Sequence, residues 1–334
     1  MGATGENRGF ARNRVVIVFF ALSMCFGQNR SELIKSALSG DARSQLSLGE
    51  LYLAEDNYSE ALRFYRLAAA QKLPEAECAL GNIYRYGQGV SQDYKEAVRW
   101  YKLAAAKGWP EAQFNLGAMY DNGQGVTQDY SEAVRWYRVT AEQGMADAEY
   151  NLGIMFANGK GVTQDYKEAM RWYRLAAEQR NMPEAEFNLG VMYDNGQGVA
   201  QDYQEAARWY RRAADQGHAE AQFNLGLMYA NGQGVEGDYP KAFRWYRLAA
   251  EQGRSEAASN VGVMYANGLG ITKDYVESLK WLTVAISEGD KDSVEARDKV
   301  AGRMTAQQIE QAKQMAAAWK RCQGKSNCDA RVKQ

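Results

Sequence analysis

The stretch PEAQFNLGAMYDNGQGVTQDYSEAVRWYRVTAEQGM, residues 110–145, is one copy of a pattern that recurs every 36 or 37 residues. The copies are marked by a tryptophan at positions Trp100, Trp136, Trp172, Trp209, Trp245 and Trp281. A single copy is too short to bury a core of its own, so neighbouring copies must stack to supply one. The sequence therefore predicts an array of structural repeats.

The first half of each copy has the pattern of a helix. Pro110 stands where a helix can begin without its N–H, and Leu116 and Met119 recur at helical spacing on one apolar face. Gly117 interrupts that helix and costs about 1 kcal/mol relative to alanine. Because a glycine recurs at this position in every copy, we expect a second helix to approach closely there.

The second half is predicted to be another helix, after a turn at Asn122–Gly125. Asp129 can cap this helix, with Glu132 three residues later as its capping-box partner. Glu132 is also spaced to pair with Arg135 on the solvent side. Each copy is then helix–glycine loop–helix, and the predicted fold class is an all-α solenoid.

Two strings carry a resemblance to a known family. LGAMYDNGQGVTQDYSEAVRWYRVTAEQG (116–144) and LGLMYANGQGVEGDYPKAFRWYRLAAEQG (225–253) resemble Sel1-like repeats, relatives of the tetratricopeptide repeat. The resemblance covers about residues 42–290, with six full-length copies and a shortened first one. It implies a right-handed superhelix whose first helices line a concave groove. It also implies protein–protein interaction, often by exported bacterial proteins.

The ends differ from the repeats and set the predicted domain organisation. Thr305 with Gln308 is expected to cap a last helix that shields the end of the core. The predicted segments are 1–27 (signal peptide), 31–73 (a helix and a tetratricopeptide-like repeat), 74–290 (six Sel1-like repeats), 291–321 (helical cap) and 322–334 (tail).

The composition excludes several classes of function. Lys+Arg 40 against Asp+Glu 41 gives no reason to expect a nucleic-acid partner. One histidine and four scattered cysteines cannot form a zinc site of the usual spacings, and we expect no metal and no cofactor. No Ser-x-x-Lys, Ser-Asp-Asn or Lys-Thr-Gly motif is present, so no catalytic residues are predicted. The single histidine, His218, is interpreted as a surface loop residue.

The N-terminal residues have the pattern of an export signal. Three arginines precede the 12-residue apolar run Val15–Phe26, which is shorter than a membrane span. Cleavage near residue 27 would leave no integral membrane domain and place the protein in the periplasm or outside the cell. A lipid anchor at Cys25 and an uncleaved anchor remain alternatives.

The tail holds Cys322 and Cys328, which could close a small disulfide loop in an oxidising compartment and would leave Cys78 as an unpaired buried thiol. Two free thiols are the alternative.

One row of side chains lies opposite the predicted core face. An aromatic residue recurs there on the first helix, with charged residues at the helix end. The predicted site residues are Phe114, Tyr150, Phe187, Phe223, Asp121, Asp194 and Arg85. They suit an unidentified protein or peptide partner, although the aromatics could instead pack sideways on the neighbouring repeat's first helix.

The sequence therefore predicts a non-catalytic, exported interaction scaffold. A cell-wall or β-lactam hydrolase or binding protein of the Sel1-like type is one alternative. A structural envelope protein without a dedicated partner is another.

Overall fold

A computed structural model describes residues 26–322, and within them the side chains of residues 30–178 and 181–319. The predicted signal peptide, Cys25 and Cys328 lie outside the described residues, as does the side chain of Cys322. The described part contains seventeen helices. They are α1 Phe26–Leu38, α2 Ala42–Ala54, α3 Tyr58–Ala70, α4 Pro74–Tyr86, α5 Tyr94–Ala105, α6 Pro110–Asn122, α7 Tyr130–Ala141, α8 Ala146–Asn158, α9 Tyr166–Arg180, α10 Pro183–Asn195, α11 Tyr203–Asp215, α12 Ala219–Asn231, α13 Tyr239–Glu251, α14 Ser255–Asn267, α15 Tyr275–Ser287, α16 Ser293–Ala301 and α17 Ala306–Cys322.

The helices form two compact units. Unit 1 comprises the described residues up to 155 together with 159–163, and unit 2 comprises 156–158 with those from 164 onward. Within unit 1, each helix from α1 to α6 packs against the next one in the chain. Within unit 2 the same holds from α9 to α15, and α17 packs on α15. The predicted fold class, an all-α solenoid of helix–loop–helix repeats, is confirmed.

In most helix pairs the mid-helix glycine of the first helix meets a tyrosine of the second, and in the last repeat Gly262 meets Leu282. A Cβ added at Gly190 would lie 2.5 Å from a ring carbon of Tyr210, and one added at Gly81 would lie 2.4 Å from Tyr101. Each of these tyrosines is buried on the second helix of the same pair. The glycine therefore makes room for an aromatic ring, and the predicted close approach of the two helices is confirmed.

The turn between the two helices depends on two left-handed glycines. Gly123 ends α6 with φ 65°, and Gly125 follows with φ 71°. A Cβ at Gly125 would lie 2.3 Å from the backbone oxygen of Tyr94, which belongs to the preceding repeat. The loop thus packs directly on its neighbour.

The second helix is capped as predicted, but the capping box is incomplete. The Asp129 carboxylate accepts from the backbone N–H groups of Ser131 at 2.9 Å and Glu132 at 3.1 Å. The N–H of Asp129 donates to the carbonyl of Tyr120 at 3.0 Å, so it is not free for the Glu132 side chain. That carboxylate lies 3.6 Å from Arg135 instead, so the predicted ion pair is confirmed and the reciprocal half of the box is wrong.

The C-terminal helix has the full capping box. Gln308 N–H donates to the Thr305 hydroxyl at 3.3 Å, and Thr305 N–H donates to the Gln308 side chain at 2.9 Å. At its other end Trp319 packs on Trp281 with ring centroids 5.0 Å apart. Helix α17 therefore covers apolar surface at the end of unit 2.

Candidate functional site

In the Sel1-like repeats the first helix has a face that the core does not use, which we call the first-helix face. In α6 it consists of Glu111, Phe114, Asn115, Ala118 and Asp121, all half-buried. The opposite side holds the fully buried residues of the core. The first-helix face is therefore open to solvent while its side chains remain partly fixed by their neighbours.

The aromatic row on this face contacts the second helix of its own repeat. The ring centroid of Phe114 lies 5.6 Å from that of Tyr137, and the rings of Phe187 and Tyr210 are 5.8 Å apart. Phe223 and Tyr246 repeat the arrangement at 5.8 Å. The aromatics are thus neither buried nor free, because each of these three rings packs on the second helix and remains half-buried. Tyr150 is also half-buried.

The residue before the next first helix covers the aromatic from the other side. His218, which precedes α12, stacks on Phe187 with ring centroids 4.7 Å apart. Arg254, which precedes α14, holds its guanidinium carbon 5.2 Å from the centre of Phe223. Phe187 and Phe223 are therefore each part of the junction between two repeats.

His218 is not the surface loop residue that the sequence suggested. Its Nδ1 accepts a hydrogen bond from the backbone N–H of Ala221 at 3.2 Å, which caps α12. Burial lowers the pKa of His218, against the opposing charges of Glu184 and Glu220. The imidazole is a half-buried helix cap because neighbouring Phe187 supplies the surface it packs on.

The three predicted charged residues lie at the C-terminal end of the first helices, and all are hydrogen-bonded. The Tyr137 hydroxyl donates to Asp121 at 3.4 Å, and the Tyr210 hydroxyl donates to Asp194 at 3.2 Å. Arg85 donates to the side-chain oxygen of Asn115 at 3.1 Å. Burial raises the pKa of Asp121, opposed by Lys160 and by the tyrosine. Asp121, Asp194 and Arg85 are thus tied into the repeat and do not converge on a common point.

An asparagine row beside the aromatics was missed at the sequence level. The hydroxyl of Tyr246 interacts with Asn260, and burial raises the pKa of that tyrosine to about 12. Tyr210 interacts in the same way with Asn224, one repeat further along the chain. The sequence does contain a signal for this row, because an asparagine follows the aromatic position in five successive repeats, at Asn115, Asn151, Asn188, Asn224 and Asn260. These amides are held in place by the second helix of the preceding repeat.

A second polar row lies inside the repeats and was also missed. Glu77 is 3% exposed and accepts from Lys107 at 2.5 Å. The equivalent Gln113 is also buried and accepts from Gln143 at 3.0 Å. Each pair joins the first helix to the end of the second helix, 30 residues later. This row satisfies buried polar groups and is structural.

The outer side of the second helices carries most of the arginines. Arg99, Arg171 and Arg208 each lie 3.2 Å or less from a glutamate three residues earlier. Arg171 also stacks its guanidinium over Trp172, 4.8 Å from the ring centre. These cations are therefore engaged within their own helix, as a solvated, salt-bridged face requires.

The described residues contain no cluster of histidine, cysteine and acidic side chains that could hold a metal ion. In the same part of the chain, Cys78 is buried with a free thiol, and burial raises its pKa to about 12. None of the described helices is both long and apolar enough to cross a membrane.

Fold and surface together define a protein built from stacked helical hairpins that expose the same residue pattern in each copy. The Sel1 repeat model matches residues 74–109, 110–145, 146–181, 183–218, 219–253 and 255–290, and a tetratricopeptide repeat matches 46–77. The chain belongs to the Sel1 repeat family.

Several solved structures are similar to this chain. A Sel1 repeat protein from Oxalobacter formigenes is 37% identical with a TM-score of 0.64, covering 72% of this chain and 96% of its own. A protective antigen of uropathogenic Escherichia coli that displays an SLR fold is 28% identical with a TM-score of 0.44, covering 90% and 98%. An immunity protein from Pseudomonas aeruginosa is 22% identical with a TM-score of 0.38, covering 65% and 83%. No curated protein matches the chain.

Proposed function

We propose that this Sel1 repeat protein is a non-catalytic, exported scaffold that binds another protein through the first-helix face. The observation that carries the proposal is the half-buried aromatic row of Phe114, Tyr150, Phe187 and Phe223. The rings of Phe114, Phe187 and Phe223 are held in place by ring contacts yet remain half-buried, which suits an anchor for a partner because little side-chain entropy is lost on binding. Export is proposed from the N-terminal sequence pattern alone.

The aromatic row can be tested in unit 2. The full chain serves as bait for affinity capture beside a double variant, Phe187→Ala with Phe223→Ala. A matched control replaces two half-buried or exposed tyrosines of the same repeats, Tyr203→Ala with Tyr239→Ala, which lie at the start of second helices. Circular dichroism on each sample checks that the chain is folded.

A partner retained by the wild type and the control but lost by the phenylalanine variant, with unchanged melting, supports the proposal. If the phenylalanine variant unfolds, the rings belong to the core and the proposed site is wrong. If both variants retain the partner equally, binding uses another surface. A β-lactam turnover assay on the wild type tests the alternative enzyme, and hydrolysis abolished by replacing one serine would overturn the non-catalytic assignment.

A further inference from the structure

Charge is segregated between the two kinds of helix. The first helices α6, α8, α10, α12 and α14 contain no lysine and no arginine. The second helices between them each carry at least two arginines, and α9 and α13 also carry a lysine. In unit 2 the three first helices carry five acidic residues, namely Glu184, Glu186, Asp194, Glu220 and Glu256. The net charge of the chain, -1, conceals this separation.

The acidic residues lie beside the aromatic row. Glu184 is exposed, Glu220 is half-buried and Glu256 is exposed, each one turn before the position of the aromatic row. Glu186 is excluded from this surface because it is fully buried and paired with Arg212 at 2.8 Å. The first-helix face of unit 2 thus places one accessible carboxylate per repeat next to the aromatic position.

A contact within the chain shows which kind of side chain can bind between the aromatic ring and the carboxylates. Arg254 lies over the Phe223 ring, 2.5 Å from Glu220 and 3.1 Å from Glu256. One guanidinium therefore stacks on an aromatic ring and bridges two carboxylates of successive repeats. Both contacts favour a planar cation, the first through the ring quadrupole and the second through charge-assisted hydrogen bonds.

One repeat earlier, the same position holds His218 instead of an arginine. His218 stacks on Phe187 and lies near Glu184 and Glu220. Because burial lowers its pKa, it is neutral at pH 7 and its Nδ1 is already used by Ala221. Glu184 has no ion-pair partner among the side chains that the structure describes. The aromatic ring and carboxylates are repeated here without a permanent positive charge.

Apolar side chains complete the surface. Val191, Leu227 and Val263 occupy equivalent positions on α10, α12 and α14, and each is half-buried. They lie about one helical turn from the aromatic row on the same face. A partner segment would therefore meet apolar contacts next to the carboxylates.

We propose that the first-helix face of unit 2 binds a polypeptide segment in which arginine side chains alternate with apolar ones, and that one arginine occupies the site beside the stacked rings of Phe187 and His218, where its guanidinium pairs with Glu184. This inference rests on the proposed function and names the chemistry of the partner. Charge complementarity favours a basic partner segment over an acidic one, because the carboxylates of these helices outnumber Arg254, which lies against the same face.

In unit 1 the first helices α4 and α6 are also net acidic, whereas Arg43 balances Glu50 on α2. Burial raises the pKa of the Glu50 carboxyl, and the carboxylates of Glu111 and Glu75 raise it further. These three residues lie on α2, α4 and α6, three successive first helices of that unit. The net acidic character therefore extends to the first helices α4 and α6 of the Sel1-like repeats in unit 1.

The test uses two fluorescent 12-residue peptides, one alternating leucine with arginine and one alternating leucine with glutamate. Fluorescence anisotropy with the full chain measures the affinity of each at physiological ionic strength. Glu184→Gln removes one carboxylate of the site, and Glu236→Gln is its control because it makes the same charge change in an exposed loop. His218→Arg places the chain's own cation on Phe187, as Arg254 does on Phe223, and Gln204→Arg on α11 is its charge-matched control.

We expect Glu184→Gln to weaken binding of the arginine peptide about fivefold and His218→Arg about tenfold or more, with both controls within about twofold of the wild type. The NMR resonances of the His218 ring should shift when the arginine peptide is added, because the bound peptide would lie beside this ring. Circular dichroism confirms that each variant is folded.

Equal losses in a variant and its control would show that only overall charge matters, and the site would be wrong. Equal affinity for the glutamate peptide, or no binding of the arginine peptide, would also overturn the inference. If the arginine peptide does not bind while affinity capture still yields a partner that requires Phe187 and Phe223, the proposed function stands and the partner's chemistry is different.

Discussion

At the scale of single residues, His218 couples the stability of unit 2 to pH. The neutral imidazole accepts the N–H of Ala221, and a protonated ring cannot do so. Burial lowers the pKa of the folded-state histidine below its ordinary value of 6.5. The unfolded chain therefore binds the proton more readily, and the stabilisation present above pH 6.5 is lost as the pH falls below it.

We predict that replacing His218 with asparagine removes this pH dependence. Asparagine is also a good N-cap, so the helix start is preserved without a titrating group. Thermal melts of the wild type and of His218→Asn between pH 7.5 and 5.5 should diverge progressively, with the wild type losing stability relative to the variant. A constant difference across that range would contradict the prediction. NMR titration of the wild-type ring should give a pKa below 6.5.

The mid-helix glycines allow a graded test of packing. A Cβ at Gly190 would lie 2.5 and 2.6 Å from ring carbons of Tyr210, whereas one at Gly117 would lie 3.0 Å from those of Tyr137. We predict that Gly190→Ala destabilises the chain by about 1–3 kcal/mol through overpacking. Gly117→Ala should cost less, because the gain in helix propensity of about 1 kcal/mol offsets a milder clash. Denaturant melts of both variants check the order, and a larger loss for Gly117→Ala would show that ring contact is not the determinant.

At the scale of elements, the loop between the two helices of a repeat has a side-chain cap. Gln92, Gln128, Gln164 and Gln201 each donate to a carbonyl at the C-terminus of the first helix, seven residues earlier, at 2.6–2.7 Å. In the fifth Sel1 repeat Gly237 takes this position. A Cβ there would have no neighbour closer than 3.7 Å, and its φ is not left-handed, so a side chain fits.

We predict that Gly237→Gln stabilises the protein by supplying this missing cap to the carbonyl of Ala230. The hydrogen bond should contribute about 0.5–1.5 kcal/mol. Loss of glycine freedom in the unfolded chain should add about 0.4–1 kcal/mol. Gly237→Ala is the control that separates the two, since it restricts the backbone without the amide. The measurement is the denaturant midpoint, and a glutamine variant no more stable than the alanine variant would rule out the cap.

The elements also show what a sequence can and cannot reveal. Helix starts at Pro110 and after Asp129 were predicted because proline and N-cap signals act within one turn of the chain. The predicted hydrogen bond from the Asp129 N–H to the Glu132 side chain is wrong, because that N–H donates instead to the carbonyl of Tyr120 in the preceding helix. The pair of Glu77 and Lys107 was missed for the same reason, since its members meet only after the two helices have packed.

At the scale of the whole molecule, repetition distributes function and stability over many equivalent positions. The aromatic row was visible in the sequence because it recurs in register, yet its contacts with the second helix depend on packing. The segregation of charge was also present in the sequence. The sequence alone does not show that the first-helix face is open to solvent. Only charges on an open face can select a binding partner, because charges on a buried face cannot reach one.

The end of unit 2 offers a test of how stability spreads through stacked repeats. Trp319 is 6% exposed and packs on Trp281, so Trp319→Ala should remove about 3–5 kcal/mol of packing at that end. Because each repeat contacts mainly its neighbours, the loss should decay with distance along the unit. Hydrogen exchange should then accelerate most in α15, less in α14 and least in α10, while the exposed control Gln311→Ala leaves all three unchanged. Uniform acceleration across these helices would instead mean that unit 2 unfolds as one cooperative block, with α17 contributing to every repeat in it.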